Sequence, residues 1–155
     1  MTDEAKFNRF SIALKDFEKA KAFLAEAKNQ QYGGLIHEAL VFSAIICYFR
    51  PFTHNEKDPN SAAAPKLELS DFAPLSPDEL CIHEICKELR NKALAHAEIK
   101  HHPTRLDRET GLISSAIFSL VGRAPDLEGL SELICKFIKQ CHNKRADYVH
   151  AVRAP

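Results

Sequence analysis

Apolar positions in residues 3–29 recur at steps of three and four. Phe7, Phe10, Leu14, Phe17 and Leu24 form the series, Lys21 interrupts it, and Ala13, Ala20 and Ala27 widen the stripe. Charges fill the opposite side, so the spacing predicts an amphipathic helix. Asn29-Gln30-Gln31 and Gly33-Gly34 break the pattern. The next helix is predicted over 35–50. Nearly every residue from 39 to 49 is apolar, Glu38 and Ser43 are the polar exceptions, and Pro51 ends the segment. At eleven residues that apolar run is short for a bilayer and fits a buried core helix.

Residues 51–76 contain four prolines, at 51, 59, 65 and 74, which exclude a continuous helix. Leu67, Leu69 and Phe72 are expected to pin the second half of this long connection to the core. Ser76-Pro77-Asp78-Glu79 has the residues of a capping box with proline in the first turn. A third helix is expected from 77 to about 97, burying Ile82, Ile85, Cys86, Leu89 and Ala93. Pro103 stops it. Residues 107–111 have turn character, and 112–121 read as a strand of a small hairpin or as a short extra helix, with β-branched content favouring the strand. Asp126 is placed to cap a last helix over 127–150, whose Leu127, Leu130, Ile134, Phe137, Cys141 and Tyr148 again step by three and four. The expected fold is all-α: a single domain over 1–155, built as an antiparallel four-helix bundle with a β-hairpin or short helix around 103–121.

The length of 155 residues supports one core without covalent staples. The five cysteines are odd in number and lie within expected helices, which argues for reduced, mostly buried thiols. The N-terminus carries charges where a signal peptide needs an apolar run. A soluble, cytoplasmic protein with no membrane partner is therefore expected. The 21 Lys and Arg balance 21 Asp and Glu. This excludes a broadly basic, nucleic-acid-coating surface. The distribution is uneven, though: residues 36–86 hold three basic against eight acidic side chains, 87–108 six against three, and 136–153 five against one. A local basic patch from the third and last helices is one reading, and ordinary solvated helix faces are the other.

Candidate chemistry gathers on the third helix. On a regular α-helix, Arg90 and His96 flank Ala93, about 120° apart around the axis and about 9 Å apart along it. A symmetry-related helix packed over the small Ala93 would bring two Arg and two His together. An imidazole exchanges protons near neutral pH, and a permanently charged guanidinium can clamp phosphate oxygens. Asn91, Lys87 and Lys92 add donors. The plainer alternative pairs Arg90 with Glu84 or Glu88 and leaves His96 satisfied at the core edge. Arg50, at the end of the second helix, either faces the same cleft as Arg90, or reaches solvent or pairs with an acid at the helix end. Cys81, His83 and Cys86 would spread around more than half of a helix, and no second Cys/His pair stands at finger-like spacing, so no metal site or cofactor is expected.

Leu89-Arg90-Asn91-Lys92-Ala93-Leu94-Ala95-His96 resembles the signature of the HEPN superfamily (higher eukaryotes and prokaryotes nucleotide-binding). That signature is an Arg followed by a polar residue and then, after a spacer of four to six residues, a His. The chain's size and helical pattern also fit. The resemblance implies a metal-independent endoribonuclease, of the kind found among toxin–antitoxin and defence proteins, acting as a homodimer with a composite site. Arg90 and His96 match its catalytic pair and Asn91 its supporting polar position. RNA or a nucleotide, and a separate protein partner, are the implied partners. The alternative on the same bundle is a non-catalytic nucleotide-binding or protein-interaction module.

Overall fold

The computed structural model describes residues 3–53, 66–94, 104–111, 113–115 and 120–153. The chain is an all-α bundle. Among the described residues its α-helices are α1 (Asp3–Ala27), α2 (Leu35–Phe49), α3 (Pro77–Glu88) and α4 (Leu127–Arg153). α1 is the central element, packing along both α2 and α4, while α3 lies against α2 and α4. A two-stranded antiparallel hairpin, β1 (Thr104–Leu106) and β2 (Ile113–Ser115), pairs Arg105 with Ser114. Its turn carries Gly111 at φ +70°, a conformation open to glycine. The strand reading of this region is the one realised for 113–115.

The amphipathic periodicity of α1 becomes its buried face: Phe10, Ala13, Leu14, Phe17, Ala20, Leu24 and Ala27 all lie in the core. The centre of that core is aromatic. Phe17 stacks on Phe137 of α4 at 5.3 Å between ring centroids, and Phe72 reaches Phe137 at 4.6 Å. Such offset and tilted pairs add about 1 kcal/mol each beyond area burial. Leu67 and Phe72 are buried and Leu69 is half-buried, so the residues after 65 are pinned to the bundle as expected. The stretch Leu35–Phe52 is long and apolar enough, by length and composition, to cross a membrane. Within the fold, seven α2 side chains, from His37 to Phe49, are buried against the bundle.

The end of α2 falls where Pro51 places it, and the end of the third helix differs from the sequence expectation. α2 passes at Arg50–Phe52 into a 3₁₀ turn, which the missing N–H of Pro51 favours over continued α-helix. The third helix is α only to Glu88. Leu89–Leu94 form π turns, so the spacing of a regular α-helix does not apply from Leu89 onward. The relation of Arg90 to His96 derived from that spacing is corrected to this extent, and His96 itself lies outside the described residues.

Candidate functional site

α3 is fastened at its start. Ser76 Oγ accepts from Glu79 N, and the Glu79 carboxylate accepts from Ser76 N, closing the capping box. Lys136 of α4 donates to both Glu79 oxygens, at 2.7 and 2.9 Å, and to the Pro74 carbonyl. The Lys136 hydrogen bond, with those from Ser76, holds the Glu79 carboxyl below the usual carboxylate range. These contacts fix the rotation of α3, which turns Cys86 and Leu89 into the core.

Beyond Leu89 the turns widen and present Arg90 and Asn91 half-buried. Arg90 Nη1 donates to Asn91 Oδ1 at 2.8 Å. Adjacent residues on an α-helix do not face each other, whereas here the guanidinium folds onto the next residue's amide. Glu84, one of the expected acidic partners, is taken by Lys87 at 2.8 Å. Among the described residues no ion pair neutralises Arg90. A neutral amide orients the planar guanidinium and leaves its charge for an anion. π turns inside helices occur frequently at functional sites.

The other expected site residues are dispersed. Lys92 has its backbone in the π turns, and its side chain lies outside the described residues. Arg50 is engaged by α1, where its Nη1 pairs with Asp16 Oδ1 at 2.9 Å. That contact realises the acid-pairing alternative. Lys87 lines a cleft of about 510 Å³ with Phe49, Phe52, Lys66 and His83.

The environment of His83 was not anticipated from the sequence. It is 4% exposed, among Phe49, Phe52 and Tyr48. Tyr48 Oη and His83 Nδ1 are 2.8 Å apart. Burial raises the Tyr48 hydroxyl well above its usual range and pushes His83 down to about 4. Both are therefore neutral at physiological pH. Tyr48 Oη and His83 Nδ1 thus share one hydrogen bond between neutral groups, whose direction is set by the imidazole tautomer.

A second polar group was equally hidden. Arg9, 1% exposed, donates through Nη2 to the carbonyls of Arg50 and Pro51, in the 3₁₀ turn that follows α2. Burial lowers its pKa, and the nearby Asp16 opposes that shift. Arg9 and Asp16 stand with Ala13 and Ala20 at helical steps of three and four, a pattern visible in the sequence. Their partners across the bundle were not. Among the described residues no group of three or more His, Cys, Asp or Glu could hold a metal ion. Cys81 is exposed, while His83 and Cys86 are buried. Comparison with protein-family models, curated proteins and solved structures returns no match for this chain.

Proposed function

We propose that the chain is a HEPN-like helical protein that cleaves RNA without a metal, as a homodimer in which Arg90 and His96 of two copies form a composite site. The observation that carries this reading is the Arg90 guanidinium, half-exposed on a π turn and held by the neutral Asn91 amide. A fixed cation with no ion-pair partner among the described residues suits the charge that builds on a phosphate in the transition state. In the reaction, an RNA 2′-oxygen attacks the adjacent phosphorus and gives up its proton to one imidazole. The bond to the 5′-oxygen breaks, and that oxygen takes a proton from the second imidazole. The products are a 2′,3′-cyclic phosphate and a 5′-hydroxyl. Arg90 holds the non-bridging oxygens, Asn91 aims Arg90, and His96 moves the protons.

The test is cleavage of end-labelled RNA in EDTA. Arg90→Ala and His96→Ala should each lose about 100-fold or more in rate, and a strand lacking 2′-hydroxyls should remain intact. Equal cleavage by all three proteins refutes the assignment. Binding of RNA or nucleotide with no cleavage by the wild-type protein would identify the non-catalytic module instead.

A further inference from the structure

α2 turns part of its apolar surface to solvent. Residues 35–49 contain no Lys or Arg, and their one acid, Glu38, accepts from Leu120 N at 3.0 Å. The buried face of α2 includes Val41, Ala44, Ile45 and Tyr48. Opposite it stand Ile36, 62% exposed, Ala39, exposed, Ser43, half-buried, and Ile46, 39% exposed. The Ser43 hydroxyl donates to the Ala39 carbonyl at 2.8 Å, so its proton is satisfied within the helix. Leu35, at 85%, and Tyr32, at 71%, extend the apolar surface at the N-terminal end. A contiguous patch of this kind marks an interaction site.

The spacing of the stripe indicates what covers it. Residues 36, 39, 43 and 46 step by three, four and three, the seam of a helix pair. The order is large, small, small, large, and it reads the same from either end about Val41. An antiparallel second copy of α2 therefore sets Ile36 opposite Ile46 and Ala39 opposite Ser43, each pair occurring twice, as a two-fold interface requires. The small central pair lets the two backbones approach. Arg50 takes the next position of the stripe, still helical, with its N–H on the Ile46 carbonyl. Asp16 pairs with it at 2.9 Å, so its charge is already met within its own copy. A helix that lies on a membrane is rich in Lys and Arg along its polar face, which α2 lacks.

We infer that α2 is the surface on which two copies of this chain pair, antiparallel, with Ala39 and Ser43 at the two-fold axis. The π turns that carry Arg90 pack against α2, so this pairing also sets the separation of the two Arg90 guanidiniums. That consequence rests on the ribonuclease reading; the pairing itself does not.

Sedimentation equilibrium of the full chain, without RNA, is the test. The wild type should dimerise below about 100 μM. Ala39→Lys and Ser43→Glu each place an unpaired charge in the seam and should raise the dissociation constant at least about tenfold. Residue 39 faces residue 43 only in the antiparallel register, so mixing the two variants should restore a dimer. Should either charged variant misfold by circular dichroism, the double variant Ile36→Ser, Ile46→Ser decides instead and should be monomeric. A monomeric wild type, unchanged association in the folded variants, or no rescue on mixing would each overturn the pairing. So would a monomer that floats with phosphatidylcholine vesicles, which would make the stripe a lipid-facing surface. Cleavage assayed on the same samples separates the two proposals. A dimer that depends on residues 39 and 43 but cuts no RNA leaves the pairing and sinks the ribonuclease, whereas an unmoved dimer that cuts RNA does the reverse.

Discussion

Acid should destabilise this protein through His83, by an amount that follows from its surroundings. The imidazole is 4% exposed and hydrogen-bonded to Tyr48, and burial depresses its folded pKa to about 4 from 6.5. The unfolded chain therefore takes up a proton as pH falls below about 6.5, while the native protein resists until about 4. Stability is fully present above the unfolded value and is lost on the way down. Each pH unit in that window costs about 1.4 kcal/mol, giving a ceiling of about 3 kcal/mol. His83 borders the Lys87 cleft, where water screens it, so the realised loss should be about 2 kcal/mol. Urea unfolding at about pH 7 and about pH 5 measures it, with His83→Asn as the reference. Asparagine keeps an acceptor for Tyr48 and cannot titrate. It also loses ring packing on Phe49 and Phe52, so the substituted protein should be less stable at both pH values and only the slopes are compared. Between the two conditions the wild type should lose at least about 1 kcal/mol more than the His83→Asn protein does, on the order of the screened value. Parallel slopes would refute the argument that burial of this imidazole makes the fold acid-sensitive.

Asp16→Ala removes the partner of Arg50 and a countercharge near the buried Arg9, and should cost about 1–3 kcal/mol in urea unfolding; an unchanged midpoint would mean that neither guanidinium depends on this carboxylate. Iodoacetamide at mildly alkaline pH should modify the exposed Cys81 first. Cys86 and Cys141, whose thiols burial pushes up (to about 12 for Cys141), should react only on unfolding, and mass spectrometry of native and denatured samples separates the cases. Lys136→Met removes the principal cause of the lowered Glu79 pKa, so an NMR titration should find that carboxyl moving back up; an unmoved value would leave the Ser76 hydrogen bonds as the whole cause.

The two unanticipated polar groups share a feature that explains why they were missed. Arg9 meets the carbonyls of residues 50 and 51, and Tyr48 meets a histidine 35 positions away. A buried polar side chain is acceptable only where a partner waits for it, and periodicity along one helix says nothing about the partner on another. The π turns at Leu89–Leu94 escaped for a related reason: 89–94 reads as ordinary helix by composition, and the widened turn shows only in the backbone.

Local chemistry was legible throughout. Steps of three and four placed the core faces of α1 and α4. Ser76 and Asp126 marked two helix starts through short-range hydrogen bonds. Pro51 ended α2, and a glycine turn with β-branched flanks marked the hairpin. These signals act within a few residues, so the sequence by itself determined an all-α bundle and its caps. The tertiary structure alone decided which polar residues are buried, that the His83 ring meets Tyr48 away from water, and that Arg50 serves Asp16. Each of those depends on side chains far apart in sequence meeting where water is excluded. There, charge and hydrogen-bonding capacity must be matched by geometry that no local pattern encodes.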